Sequence, residues 1–378
     1  MPKFAFILHP ADAKDVARKF KLTRMMPDSL VERIFSFMPP VKASHITGIR
    51  SQYAEAEGWF IACPLTAYLM MNMPQTYVIN KIIQAGKLAE KLGVNILGLG
   101  AFTKIVGDAG ITVAKNLRIP VTTGNSYTVA TAVQSAREAA RLMGHNLKKS
   151  SVVILGATGA IGRICALILA REAGSMTLVA REESKLEEVA TKILADTGLS
   201  VNVTSDSKKA LQTGDVVVTV TSALDAVIEP EDLRPGAVVC DVARPRDVSK
   251  RVAEVRDDVL VIEGGVVEVP GDVDFHFNFG FPPKKAYACM AETMILTLEN
   301  RLESYTLGRD LQVEKVIEIA AMADKHGFKL AGFRSFGRAL PTEEIERIKK
   351  RAMDGRLPRK DILDKSKPAS YNVTEVGL

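Results

Sequence analysis

Short apolar runs and longer amphipathic stretches alternate along the second half of the chain. A short apolar run bounded by polar or turn residues is typical of a strand that is covered on both faces of a parallel sheet. Six such runs follow one another: Ser151–Leu155, Met176–Ala180, Val201–Thr204, Asp215–Val220, Ala237–Asp241 and Val259–Ile262. Helical or turn segments separate them. The pattern therefore predicts the α/β class, with a Rossmann-type doubly wound parallel sheet.

The first 145 residues mix short apolar strands with helical stretches and predict a separate α/β unit. Residues 4–8 indicate a first strand, and Val94–Gly100 indicates a later one. Apolar residues recur at helical spacing over Ala11–Phe20 and over Gln75–Leu92. A long helix is predicted from Ser126 to Met143, directly after a polar turn.

The chain after Pro283 is mainly helical in its pattern. Helices are predicted over Lys285–Leu302 and Gln312–His326, and a third is expected behind a Thr342 cap. We expect four parts: an N-terminal α/β substrate domain (1–145), a Rossmann domain (146–281), C-terminal helices (282–332) and a basic tail (333–378) that is partly disordered.

Composition narrows the classes of function. The 378 residues are 47% hydrophobic and carry a net charge of +6, which suits an ordinary globular protein. Residues 1–10 and 59–73 are too short or too interrupted for a secretion signal or a membrane span. Basic residues without interleaved aromatic residues do not favour nucleic-acid binding. No metal-ligand or disulfide spacing joins the cysteines, so we expect no metal site and a reducing, cytoplasmic setting; they are Cys63, Cys165, Cys240 and Cys289.

A glycine-rich loop follows the first strand of the predicted parallel sheet and opens a helix. It comprises Gly156, Ala157, Thr158, Gly159, Ala160, Ile161 and Gly162. In such a loop the first glycine permits the tight turn, the second lets the backbone approach a pyrophosphate and the third allows close helix packing. The free N–H groups of the helix N-terminus then face the phosphates. The strand–loop–helix context therefore predicts a dinucleotide site.

The end of the second strand bears on which dinucleotide binds. It reads Ala180-Arg181, where an NAD enzyme usually carries an acidic residue for the ribose 2′-hydroxyl. A guanidinium favours a 2′-phosphate, so we expect NADPH, although Glu182 and Glu183 follow at once. Ligands bind at the carboxyl ends of parallel strands. The nicotinamide side of the crevice is therefore expected at Thr221, Ser222, Gly264 and Gly265.

Cys289 is the candidate nucleophile. It lies in the opening turns of the helix predicted after Pro283, close in sequence to Lys284 and Lys285. A helix N-terminus and neighbouring lysines lower the pKa of a thiol, and the thiolate is the form that attacks thioesters. The five histidines stand in no catalytic motif, whereas Cys165 and Cys240 fall where core residues are expected.

Six ordered motifs resemble the cyanobacterial long-chain acyl-acyl-carrier-protein reductases, which form fatty aldehydes. The resemblance runs from about residue 7 to residue 330. The motifs are Leu99–Thr103, Thr122–Asn125, Gly156–Gly162, Gly264–Glu268, Ala288–Glu292 and the segment from Leu307 to Phe328. The chain departs from the family at Lys104, where the family has a small polar residue, at 271–283 around His276, and beyond about residue 332.

The resemblance implies that Cys289 carries the acyl group. It also implies an acyl-carrier-protein or coenzyme A thioester as the substrate, and an enzyme that consumes the aldehyde as a further partner. Cys63 falls near another cysteine of the family and is expected to be structural. We therefore predict acyl transfer to Cys289, followed by reduction with NADPH to the fatty aldehyde.

Two details of this reaction are expected from the sequence. Thr123 and Asn125, or backbone N–H groups near Cys289, are expected to stabilise charge on the carbonyl oxygen. An apolar tunnel for the acyl chain is expected beside Met290–Leu298.

Two other functions stay open at this point. A dehydrogenase of the shikimate or hydroxy-acid type would transfer hydride directly and would use Lys104 and Asp108, or Lys81, for acid–base catalysis. A non-catalytic NADP-binding sensor would bind the nucleotide without turnover and would be indifferent to substitution of Cys289.

Overall fold

The computed structural model describes residues 1–10, 12–13, 15–16, 25–223, 225–278 and 280–354. In chain order, its strands are β1 (Lys3–Leu8), β2 (Val41–Arg50), β3 (Glu55–Ala62), β4 (Ile96–Leu99), β5 (Val121–Thr122), β6 (Ser151–Leu155), β7 (Ser175–Val179), β8 (Asn202–Thr204), β9 (Val216–Thr219), β10 (Val238–Asp241), β11 (Leu260–Glu263), β12 (Val266–Glu268), β13 (Gly271–Asp274), β14 (Lys285–Tyr287), β15 (Lys329–Leu330), β16 (Arg334–Ser335) and β17 (Arg338–Ala339).

The α-helices are α1 (Asp28–Phe37), α2 (Ala67–Asn72), α3 (Gln75–Lys91), α4 (Phe102–Ile105), α5 (Ile111–Lys115), α6 (Asn125–Met143), α7 (Ala160–Leu169), α8 (Glu183–Thr197), α9 (Ser207–Leu211), α10 (Lys250–Val255), α11 (Ala288–Leu298), α12 (Val313–His326) and α13 (Thr342–Met353). Within the described residues, no helix combines the length and the apolar character that a membrane crossing requires.

Two six-stranded sheets organise the described chain. The first has the order β13-β2-β3-β1-β4-β5; the four strands from β3 to β5 are parallel, β2 is antiparallel to β3, and β13 is antiparallel to β2. The second has the order β11-β10-β9-β6-β7-β8, and all of its neighbouring strands are parallel. Counted along the chain, this is the order 3-2-1-4-5-6 of the Rossmann fold read from its far edge. The predicted doubly wound sheet is confirmed.

The helix α11 lies in the core beside the first sheet. It packs against β1, β3 and β4 of the first sheet and against α6 and α12. Its side chains from Met290 to Leu298 are each at most 4% exposed. The side chains of α11 are therefore packed in the core, where the acyl tunnel was expected.

The C-terminal segments differ from expectation in two places. The helix predicted over Lys285–Leu302 starts only at Ala288, because its first three residues form β14 and pair with β12; it ends at Leu298. This pairing joins segments that are separate in sequence, so the helical spacing of apolar residues could not predict it. Thr342 is the first residue of α13 rather than its cap, since Pro341 precedes the helix and no side-chain capping bond is present.

Two expectations fall partly outside the described residues. The helix predicted over Ala11–Phe20 includes residues 11, 14 and 17–20, which are outside the described residues. The disorder expected for the tail concerns residues 355–378, which are outside them as well. The part of the tail before residue 355 contains the hairpin β16–β17 and the helix α13, so that part is folded.

Candidate active site

A cavity of about 380 Å³ lies at the carboxyl ends of the strands of the parallel sheet. We call it the reaction cavity. Segments far apart in the sequence meet there: the glycine loop, the ends of β9, β10 and β11, the helix α4, and the first turns of α6 and α11. The predicted site residues that line it are Asn125, Thr158, Gly159, Ala160, Ile161, Thr221, Ser222, Gly264, Gly265 and Cys289.

The glycine loop has the backbone geometry that a dinucleotide requires. Gly156 has φ +86°, and a Cβ there would lie 2.6 Å from the carbonyl oxygen of Val220. A Cβ on Gly162 would lie 2.3 Å from the carbonyl oxygen of Gly156, so the helix approaches the turn too closely for a side chain. Gly159 precedes α7 and provides no side-chain cap. The first N–H groups of this ten-residue helix therefore suit a phosphate acceptor.

The other predicted cofactor residues lie around this loop. Arg181 is exposed just beyond the end of β7, next to the half-buried Ala180. Thr221 is fixed by the buried Asp247, whose carboxylate accepts from the Thr221 backbone N–H at 2.9 Å and from its hydroxyl. Gly265 has φ +86°, and its carbonyl oxygen accepts from the Ala288 N–H at 2.7 Å. This last bond ties the end of the parallel sheet to the start of α11.

Cys289 is the second residue of α11 and the only one of the four cysteines that is not fully buried. Burial raises the pKa of its thiol, Glu292 raises it further, and Lys104 and the N–H groups of Met290 and Cys289 lower it. The lysine that lowers the pKa of the thiol is therefore Lys104, from α4. Lys284 and Lys285, which are close to Cys289 in sequence, do not have this role. Lys284 pairs with Asp272 at 2.8 Å, and Lys285 donates to the Ala331 carbonyl at 2.9 Å.

The other three thiols lie in cores. Burial raises the pKa of Cys63 and of Cys165 to about 12, and it also raises the pKa of Cys240. Because the thiolate is the reactive form, these residues are inert by comparison with Cys289.

The turn before α6 packs directly on Cys289. A Cβ on Gly124, which has φ +73°, would lie 2.3 Å from the Cα atom of Cys289. Asn125 lines the reaction cavity, and its Oδ1 atom accepts from Lys104 Nζ at 2.7 Å. Thr123 is buried behind this wall and does not line the cavity; among the described residues its hydroxyl has no hydrogen-bond partner.

Glu292 stands one helical turn after Cys289 and is fully buried. Its carboxylate accepts from the Thr122 hydroxyl at 2.5 Å and from the Tyr127 N–H at 2.9 Å. Burial raises the pKa of this carboxyl group. The sequence motif contained Glu292, but only the structure gives it a role: it clamps the turn before α6 to α11 and so holds Asn125 beside Cys289.

Arg244 is a cavity residue that the sequence analysis did not identify. It follows β10 and donates to the Ala243 carbonyl at 2.6 Å; its guanidinium lies 5.5 Å from the centre of the Tyr287 ring. Glu263, which lies 3.8 Å from Arg244, also bonds Arg246 at 2.8 Å. The strand-end rule that selected Thr221 would also have selected Arg244.

The three residues considered as acid–base groups for direct hydride transfer lie in different surroundings in the structure. Lys104 lines the reaction cavity. Asp108 accepts from the Thr112 N–H at 3.0 Å and thus holds the start of α5. Lys81 is buried and donates to the Met38 carbonyl at 2.7 Å.

A second cavity, of about 420 Å³, lies at the carboxyl end of β1. We call it the apolar cavity, because most of its lining is apolar, including Leu8, Val16, Phe35, Met38, Val41, Ala43, Ala62, Cys63 and Phe277. His9 in its wall accepts from the Phe102 N–H at 3.3 Å through Nε2. Phe102 belongs to α4, whose residues Lys104 and Ile105 line the reaction cavity. His9 therefore connects the wall of the apolar cavity to α4.

Comparison with known proteins relates these features to two kinds of enzyme. Residues 137–263 match the shikimate / quinate 5-dehydrogenase family. The chain is 27% identical to the long-chain acyl-[acyl-carrier-protein] reductase of Synechococcus elongatus, over 84% of this chain and 94% of that protein. It is 33% identical to the glutamyl-tRNA reductase of Salinibacter ruber over 32% of this chain and 26% of that protein. The chain is distantly related to NAD(P)-dependent reductases and dehydrogenases.

A further relative carries a different name. The chain is 30% identical to the aminotransferase PigE of a Serratia species, over 92% of this chain. The chain spans only 42% of that protein's length. The dehydrogenase match covers residues 137–263, so it includes the glycine loop and the ends of β9 and β10, but neither Lys104 before it nor Cys289 after it.

Proposed function

We propose that this protein reduces long-chain acyl thioesters, carried by acyl carrier protein or coenzyme A, to fatty aldehydes with NADPH. The observation that carries the proposal is the position of Cys289. This residue is not fully buried, lies in the first turn of a buried helix and lines the cavity that the glycine loop also lines. The similarity to the Synechococcus elongatus reductase over most of both chains supports the same substrate class.

The residues present fit a dinucleotide, so the cofactor site follows from them. Gly156, Gly159 and Gly162 with the N-terminus of α7 would hold the pyrophosphate, and Arg181 would hold a 2′-phosphate. When bound, the dinucleotide supplies the hydride that reduces the acyl carbonyl. In this proposal the first sheet belongs to the acyl-binding part and the second sheet to the cofactor-binding part.

The chain's own residues divide the reaction into two steps. The Cys289 thiolate forms a bond to the thioester carbonyl carbon, and the bond to the carrier's sulfur breaks; the departing thiolate takes up a proton. The acyl group then remains on Cys289 as a thioester. After hydride has added to its carbonyl carbon, the bond to Cys289 breaks and releases the aldehyde. Holding the acyl group covalently beside the reductant replaces one difficult step with two easier ones.

Charge that develops on the carbonyl oxygen needs nearby donors. Asn125 and the N–H groups of Cys289 and Met290, in the first turn of α11, are the donors we assign to this oxygen. Thr123 was expected to share this task, but it does not line the cavity, so we assign it none. We place the acyl chain in the apolar cavity.

The test is aldehyde formation from palmitoyl-acyl carrier protein and NADPH. Cys289→Ser is expected to lose aldehyde formation while it retains NADPH binding, and Cys165→Ser, altered in a core, serves as the matched control. Full activity in Cys289→Ser would overturn the proposal and would favour direct hydride transfer. Direct hydride transfer would be supported by the position of Lys104, because it is the acid–base candidate that lines the reaction cavity.

A further inference from the structure

Lys104 introduces a flexible cation into the reaction cavity. It lies in α4, is half-buried, and lines the cavity together with Asn125 and Cys289. Its ammonium group lies 2.7 Å from Asn125 Oδ1.

This contact determines the orientation of the Asn125 amide. A lysine ammonium only donates hydrogen bonds, so the atom that it contacts must be the amide oxygen. The amide nitrogen must therefore point away from Lys104. Asn125 is the first residue of α6 and is only 7% exposed, so its side chain has little freedom to turn over.

The same ammonium group acts on the thiol. Burial raises the pKa of the Cys289 thiol, Lys104 and the N–H groups of Met290 and Cys289 lower it, and Glu292, on the same helix as Cys289, raises it. Arg244, Tyr287 and Arg309 complete the titratable lining of the cavity. Glu292 is fully buried and bonds the Thr122 hydroxyl, so its carboxyl group is directed away from the cavity.

We propose that Lys104 is a positioning residue that pairs with the Cys289 thiolate and, by binding Asn125 Oδ1, presents the Asn125 amide nitrogen to the substrate's carbonyl oxygen. The first role concerns the free enzyme and does not depend on the substrate. The second rests on the proposed function. A side chain that only filled space would provide neither effect.

The experiment is the rate of iodoacetamide alkylation of Cys289 against pH, in the full-length protein without substrate. Lys104→Met is expected to move the midpoint of the rate to higher pH. It should also slow alkylation near neutral pH roughly tenfold, the scale on which a neighbouring opposite charge acts on a titrating group. Lys104→Arg keeps the charge and is expected to retain most of the rate. Lys115→Met, at an exposed lysine of the next helix, is the control.

A pH profile in Lys104→Met that coincides with that of the wild type would overturn the inference. A profile displaced equally in Lys104→Met and Lys104→Arg would also overturn it, because packing rather than charge would then be the cause. Acylation by palmitoyl-acyl carrier protein is measured separately on the same variants. If the profile shifts but the wild type forms no acyl adduct, the proposed function fails while the pairing of Lys104 with Cys289 stands.

Discussion

Replacing Gly124 with alanine tests how closely the turn before α6 must approach Cys289. Gly124 has φ +73°, a conformation that costs a residue with a side chain about 1–2 kcal/mol. The added Cβ would also lie 2.3 Å from Cys289 Cα and 2.5 Å from its carbonyl oxygen. These are atoms of a buried helix backbone and cannot rotate aside. Overpacking of this kind costs about 1–3 kcal/mol more, so we expect Gly124→Ala to lose roughly 2–5 kcal/mol of unfolding free energy.

Gly144, at the other end of the same helix, provides the matched control. It has φ +86°, but a Cβ there would meet only the flexible side chain of Lys349, at 3.5 Å. Gly144→Ala should therefore lose only the conformational part, about 1–2 kcal/mol. Urea unfolding measures both losses of unfolding free energy. The rate of Cys289 alkylation in the folded variants shows whether the thiol has been displaced. Equal losses in the two variants, with unchanged alkylation in Gly124→Ala, would refute the close approach.

Three further predictions concern the cofactor, the acyl chain and pH. Arg181→Ala should raise the KM for NADPH about ten- to hundredfold and leave that for NADH nearly unchanged, since a hydrogen bond to a charged group contributes about 1.5–3 kcal/mol. Arg171→Ala is the control, and an equal change for both nucleotides would contradict the assignment. Ala62→Phe should fill part of the apolar cavity and lower activity with palmitoyl more than with octanoyl thioesters, whereas an unchanged preference would place the chain elsewhere. Burial lowers the pKa of His9, so the stability that its neutral form contributes is present above the unfolded pKa of about 6.5 and is lost as the pH falls from there through the lowered pKa of the folded state. Urea unfolding at about pH 7.5 and 5.5 should therefore show a larger loss of unfolding free energy on acidification in the wild type than in His9→Gln. Equal losses would exclude this histidine as the cause.

The parallel sheet was predictable because its information is local. Each buried strand between Ser151 and Glu263 is an apolar run, and strands of this type with helical crossovers have few permitted arrangements. The first sheet was harder to predict. Its strand β2 has a mixed exposure pattern over Val41–Arg50 and pairs with β3 through irregular register, so no clean alternation marks it in the sequence.

The candidate site was predictable in its parts and not in their contacts. The sequence indicates Cys289 and Asn125 separately, but the side chains that control them come from distant segments. Lys104 lies 185 residues before Cys289 in the sequence and Glu292 only three after it, and both affect the pKa of the same thiol. Lys284 and Lys285 are close in sequence but are bonded to other groups. Sequence distance is therefore a poor guide to which charge acts on a thiol.

The most direct test of the account is the intact mass of the protein after mixing with palmitoyl-acyl carrier protein, with NADPH omitted. The account predicts an added palmitoyl mass in the wild type and in Cys165→Ala, and none in Cys289→Ala. The absence of an adduct in the wild type, with NADPH binding intact, would contradict the covalent step, as would an adduct that persists in Cys289→Ala.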